Sequence, residues 1–367
     1  MTSTNRITRV WWLLMLTAIF LAVLVFAMRV AGDSPEASAE TYYFDSIRGD
    51  DAVPRSTEKS PWKTLGRLTG VRLKPGDAVK LRSGSVWREE LVLDDSGAEG
   101  APITVTRWGK GAAPRITKVR DCVTVTGSWV HISGVNAERC GNAAFTLSGT
   151  RNAVRYSRAT RSAIGVFATE SSKFALISRN YIARNNIMFA NTPQPTTDDA
   201  GAFGVLLHGV GAEVAYNTIV GHDAFSYDFK RDGSAVELYG ATDSRIHHNK
   251  AFRNHTFVEL GKAGTANNTI SRNRIETKKA NQYGLITRGA ADTSFGPVLN
   301  TIFAFNKLKM TGRNSHGFVC SSGCTPEIAT IMNNRFDVNG TGGFADFSPK
   351  LSGNVFVGGK LDIESER

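Results

Sequence analysis

The chain has 367 residues, with 44 Lys+Arg against 33 Asp+Glu, and a formal charge of +11. Its 41% hydrophobic and 21% charged residues form a globular composition that excludes wholesale disorder, and 11 Pro without a Gly-X-Y period exclude collagen. Four Cys are too few for a disulfide-dense scaffold, and a basic surface favours anionic partners.

Val10 to Met28 is an uncharged, largely apolar stretch flanked by Arg6, Arg9 and Arg29. Its length suits a bilayer-spanning helix, and the basic flank keeps the N-terminus cytoplasmic and the remainder outside. Residues 1–29 therefore read as an N-terminal transmembrane or signal helix, making the protein a single-pass cell-membrane protein with an extracytoplasmic C-terminal domain. Ala37-Ser38-Ala39 imitates a cleavage site, so secretion after signal removal is the alternative. In an oxidising compartment the Cys can pair, and the local pairings are Cys122 with Cys140 and Cys320 with Cys324. A zinc site from Cys320, Cys324 and His316 is the weaker alternative.

Residues 30–41 form a polar linker, and 42–367 a single domain whose first part, 42–80, reads as a cap. A unit Asn-x-apolar then recurs, beginning at Asn180, Asn217, Asn249, Asn273, Asn306, Asn334 and Asn354, with Gly134 and Ser157 in the equivalent place earlier. Spacings of 23, 23, 37, 32, 24, 33, 28 and 20 residues share a minimum with irregular excess. Short strands such as Gly204–Leu207, Ala235–Leu238, Phe257–Leu260 and Gly284–Thr287 open the units. This pattern predicts an all-β, single-stranded parallel β-helix in which each coil buries its apolar face against the next. Asn tolerates the turn and can bond the amide of the next coil. Ser60-Pro61-Trp62 with Leu65 and Leu68 predicts a short helix, capped by Ser60, that plugs the N-terminal mouth.

Tyr42-Tyr43-Phe44, Gly49-Asp50-Asp51, Pro61-Trp62-Lys63-Thr64-Leu65, Lys74-Pro75-Gly76-Asp77 and Gly100-Ala101-Pro102-Ile103-Thr104 occur in this order. They resemble the start of the secreted right-handed parallel β-helix proteins of the pectate-lyase-like superfamily. The resemblance spans about residues 42–360 and implies a fold shared by lyases, hydrolases, epimerases and adhesins.

The segment 192–263 holds nine acids, six Lys/Arg and five of the seven His, against a basic background. The longest insertions, 188–202 and 222–234, lie on its N-terminal side. Strand alternation turns Glu237 and Glu259 outward, one coil apart, so the carboxylates stack and need a shared proton or a cation between them. Arg288 falls on the next coil, two positions along, and His208 and Tyr239 lie near the same column. Calcium-dependent lyases of the superfamily hold Ca²⁺ with acids on adjacent coils, and a nearby Lys or Arg takes the C5 proton. By that resemblance Glu237 and Glu259 are candidate calcium and substrate ligands, with Asp228 and Asp232 completing the shell. Arg231 is a further substrate-binding candidate, and Lys262, Lys230 or Arg288 the base or charge neutraliser, with His208 and Tyr239 in catalytic reach. No complete lyase motif occurs, nor the Asp-Asp and Gly-His-Gly signatures of polygalacturonase-type hydrolases. His247-His248 reads as a turn.

The expectation is a monomeric exported protein acting on an anionic, uronate-containing polysaccharide, leaning to an enzyme that works by calcium-assisted β-elimination. A glycoside hydrolase using the Glu pair, and a non-catalytic carbohydrate-binding surface protein, are the alternatives. Dispersed basic residues and the compartment argue against nucleic acid.

Overall fold

The computed structural model describes residues 38–196, 198–289 and 295–364. The chain divides into Met1–Ala39 and Glu40–Arg367. The expected membrane or signal helix lies outside the described residues, among which no helix is long and apolar enough to cross a membrane.

Residues 40–364 wind into a parallel β-helix. One strand from each coil joins a 12-stranded sheet, and the others form a 21-stranded sheet around the remaining sides. The ladder bonds are parallel throughout the stack, as in Val205↔Val236, Val236↔Val258 and Val258↔Leu285. These four side chains are fully buried and lie one above another, so every rung contributes a short apolar strip that only its neighbours can cover. The core is thus a continuous column of Val, Ile, Leu and Phe rather than a single globular centre.

The Asn corner forms as the repeat predicts. The backbone N–H of Asn217 donates to Asn249 Oδ1 at 2.9 Å, its Nδ2 donates to the same oxygen at 3.0 Å, and Nδ2 also donates to Ile177 O at 2.8 Å. Asn180, Asn249, Asn273, Asn306 and Asn334 repeat this pattern toward the next Asn. Burial without a partner would leave each amide costing about 1–3 kcal/mol, which is why a side chain with both donors and acceptor recurs here. In the earlier coils the row continues through Ser157, whose Oγ accepts from Val135 N, so Val135 and not Gly134 holds the equivalent place. Gly134 belongs one residue earlier, with Tyr156, Arg179, Tyr216, His248, Arg272 and Phe305, all in the left-handed conformation. Asn-x-apolar is absent from that coil, so the frame could slip by one. His248 occupies this turn column, stacked on Tyr216.

A second left-handed column marks the far end of the three-residue strand that follows the first. Register pairs Thr117, Glu138, Thr160 and Ala183 on successive rungs, and the residues after them are Lys118, Arg139, Arg161 and Arg184. All four have φ between 55° and 61° and are exposed; Gly221 takes the next rung.

Two further expectations shift. Glu40 belongs to the domain rather than the linker, because its N–H donates to Asp77 Oδ1 at 2.7 Å and the first strand begins at Thr41. The N-terminal plug is a single 3₁₀ segment, Leu65–Gly70, preceded by Thr64 rather than capped by Ser60. Trp62 instead bridges Phe44 as an extra strand position, which holds Pro61 out of any helix. Trp62, Leu65 and Leu68 are nonetheless buried against the first coils. Both local disulfides form, Cys122–Cys140 and Cys320–Cys324, so Cys320 and Cys324 are consumed by each other and no zinc site with His316 is built.

Candidate active site

The corner that follows Arg184 and Gly221 carries the two long insertions, each folded as an antiparallel hairpin. Met188–Ala190 pairs with Ala200–Gly201, and Ala224–Ser226 pairs with Lys230–Asp232. Asn191 ties the hairpins together, donating to Phe225 O at 3.0 Å and accepting from Tyr227 N at 3.1 Å. Asp199 Oδ2 adds bonds from Ser226 Oγ at 2.6 Å and Asp228 N at 2.9 Å. They therefore form one wall beside the sheet that carries Glu237. At its foot Ile164, Phe203 and Leu206, with Phe167 and Tyr239, make a small apolar floor outside the main core.

Glu237 and Glu259 pair directly in register. They face away from the core as alternation predicts, but they are half-buried rather than solvent-facing; Glu259 is 23% exposed. Loop insertions hide them, and a single sequence does not show where a loop folds back. Ser234 Oγ donates to Glu237 Oε2 at 2.7 Å, and Arg288 Nη2 donates to Glu259 Oε1 at 3.1 Å. Burial, then the neighbouring Glu259, raises the Glu237 carboxyl well above its ordinary range. Burial also raises Glu259, but Arg288 opposes the shift. Asp232 joins them from the hairpin base: burial, then Glu259, pushes it up to about 7, with Asp199 and Asp228 adding to the effect. The result is an acid cluster able to hold protons at neutral pH, next to one carboxylate with its own cation.

The remaining sequence candidates divide between the two edges of this cluster. On one, His208 packs 5.8 Å from the Tyr239 ring and Lys262 Nζ lies 5.6 Å above it, while Lys262 also reaches Glu170 at 3.3 Å. Burial lowers His208, with Glu170 opposing the shift and Lys262 adding to it. On the other, Arg231 is a bidentate partner of Asp223, which also binds Lys279 at 2.6 Å. Burial raises Asp223, but these two cations outweigh it and the net shift is downward. Arg231 Nη1 donates to Ala280 O at 2.7 Å, pinning the hairpin base to the following coils. Lys230 is exposed on the hairpin, across from Ser226.

Asp228 does not join the Glu pair in a metal-sized group. It lies with Asp198 and Asp199, and one oxygen from each falls within 4.8 Å of the others. Oδ1 of each is buried and has no hydrogen-bond partner, the donor chemistry of a hard cation site. Asp198 and Asp199 were missed because they sit in an insertion outside the repeat, although adjacent acids in such a loop were a usable signal. Tyr283, stacked on His316 at 5.1 Å and 5.5 Å from His255, was also missed. Burial, then Glu259, raises its hydroxyl; burial, then Arg231, lowers His255 to about 4.

No protein-family model matches the sequence. A 77-residue stretch is 38% identical to lacto-N-biosidase of Bifidobacterium longum subsp. longum, covering 20% of this chain and 5% of that protein. An alginate lyase from Paenibacillus sp. str. FPU-7 superposes with a TM-score of 0.56 at 11% identity, covering 90% of this chain and 100% of that one. XylC in complex with xylose gives 0.51 at 11% identity, covering 86% and 69%. The chain thus shares the parallel β-helix fold that its N-terminal motifs lead one to expect.

Proposed function

We propose that the chain is an exported enzyme that cleaves a polysaccharide lying in the groove beside the hairpin wall, by acid-assisted hydrolysis. The observation that carries this reading is the unequal compensation of Glu237 and Glu259. Burial and its neighbour raise the Glu237 carboxyl and favour its protonated form, whereas Arg288 donates to Glu259 and opposes the same rise there. Adjacent rungs lie about 4.8 Å apart, close to the roughly 5–5.5 Å between carboxyls that suits a retaining glycosidase. Glu237 gives its proton to the glycosidic oxygen as the C1–O bond breaks, and Glu259 attacks C1. Water then displaces Glu259, passing its proton to Glu237. Asp232, as a second protonated acid, lowers repulsion at the pair. The apolar floor of Phe167, Leu206 and Tyr239 gives a sugar ring a face to lie on. The two disulfides fit work outside the cytoplasm. The lacto-N-biosidase and alginate lyase likenesses favour a carbohydrate substrate.

Calcium-assisted β-elimination is the second reading, favoured by the unpartnered Oδ1 atoms of Asp198, Asp199 and Asp228. A Ca²⁺ ion there would supply a positive charge at the hairpin wall, and these three residues would hold it. Incubating the protein with a panel of polysaccharides separates the readings. Hydrolysis releases reducing ends without new ultraviolet absorbance, and Glu237→Gln or Glu259→Gln lowers turnover by about 10²–10⁴-fold. An unsaturated, ultraviolet-absorbing product that disappears on chelation would replace hydrolysis with elimination.

A further inference from the structure

The left-handed corner before the hairpins carries basic residues on four successive rungs. Glycine or asparagine meets positive φ at least cost, and Gly221 does so on the fifth rung. On the four preceding rungs the chain places Lys118, Arg139, Arg161 and Arg184 instead. Like charges on adjacent rungs repel, so this row works against stability as well as against backbone preference. Arg115 and Arg158 flank it two rungs apart on the adjoining strand. Glu138 accepts from Arg115 at 3.2 Å and Arg161 at 3.5 Å, and one carboxylate shared by two arginines leaves the row strongly positive.

Two open clefts, of about 240 and 730 Å³, lie at the Lys118 end of this row; both are lined by Lys118 and Arg139, and the smaller also by Arg161. The larger one ends at Phe189, 54% exposed, on the first hairpin of the wall that borders the acid cluster. The row therefore leads along one edge of the solenoid to the proposed active site.

We propose that Lys118, Arg139, Arg161 and Arg184 form a binding track for a linear acidic polysaccharide, one acidic group per rung, that feeds the groove. The rungs repeat every ~4.8 Å, a spacing that suits an extended chain bearing one carboxylate per sugar. The occupant is chosen by charge complementarity and by this axial repeat, which a compact anion would not use. The track deepens the polysaccharide reading above and rests on it for the direction in which the chain runs.

Binding of polygalacturonate is measured on the full chain by calorimetry across a salt series, with dextran as neutral reference. Changing all four residues to Asn, which tolerates the same φ, weakens polygalacturonate binding about tenfold or more at low salt and flattens its salt dependence. Arg139→Lys with Arg184→Lys retains binding, and Arg139→Asn with Arg184→Asn serves if the fourfold variant fails to fold. Glu237→Gln binds as the parent does, so loss of turnover without loss of binding tests catalysis separately from the track. Unchanged affinity and salt slope in the Asn variants overturns the track. So does a row that binds anionic phosphatidylglycerol vesicles while polygalacturonate binding is unaffected by its removal.

Discussion

The two corners of the same coils differ in how completely they satisfy their polar groups. At the Asn corner, Asn217 and Asn249 spend their donors and acceptors on the rungs above and below, and both are nearly fully buried. At the hairpin corner, the acids are crowded and raised, three carboxylate oxygens lack partners, and the turn before the hairpins carries basic residues on successive rungs. Both corners are turns in one solenoid, so the difference is not imposed by the fold. One corner is built to hold rungs together, and the other gives up stability to keep groups reactive.

Substitutions sharpen that contrast. The largest stability effect is expected at the Asn corner, where Asn249→Ala removes the side-chain partner of Asn217 N and Val214 O and one of the two partners of Asn217 Nδ2. Loss of about 2–4 kcal/mol in denaturant melts is expected; a loss no larger than at a surface site would erase the distinction between the corners. Asp232→Asn works in the opposite direction. With the folded pKa raised to about 7, the native state keeps a proton that the unfolded chain loses near 4, so Asp232 lowers stability as pH rises through that interval. Asn removes the penalty, and the variant should gain about 1–3 kcal/mol at pH 8 and nothing at pH 4. A gain that does not depend on pH would mean that Asp232 is not held protonated.

The smallest effect is expected inside the hairpin corner itself, at His222. Its ring bridges Asn185 Nδ2 at 3.1 Å and Asn254 Oδ1 at 2.9 Å, where the neighbouring rungs use Asn. Burial lowers it to about 4, so its neutral form supports the fold fully above pH 6.5, and that support is lost as pH falls toward 4. His222→Asn should change stability at pH 7.5 by under about 1 kcal/mol and flatten the acid limb between pH 6.5 and 4. An unchanged acid limb would assign acid sensitivity to other groups.

The fold was legible because its signal repeats. A buried amide that must bond its copy on the next rung leaves Asn in one frame, and the strand openings keep their apolar positions in step. The outward pairing of Glu237 with Glu259, and the place of Arg288 beyond them, followed from period-two alternation. What failed lies where the repeat lapses. Gly134 was misplaced because its coil has no Asn, and Asp228 was assigned to the Glu pair because hairpin geometry is set by contacts such as Asn191 with Tyr227 rather than by periodicity. Lys262 and Arg231 were read from sequence as groups open to substrate, yet each is held by an acid, Glu170 and Asp223. Nothing in their spacing encodes those partners.

The Asn row also has a direction. From Asn180 to Asn334 every side-chain amide donates to the Asn of the rung that follows, and from Asn217 to Asn354 each accepts from the Asn of the rung before. Aligned amide dipoles polarise one another, so bonds in the middle of such a row are reinforced from both sides and those at its tips from one. The solenoid should therefore come apart like a zip, from its tips inward. Amide hydrogen exchange at Asn249 and Asn273 should be the slowest of the row, and the middle coils carrying Glu237 and Glu259 would be the last to open.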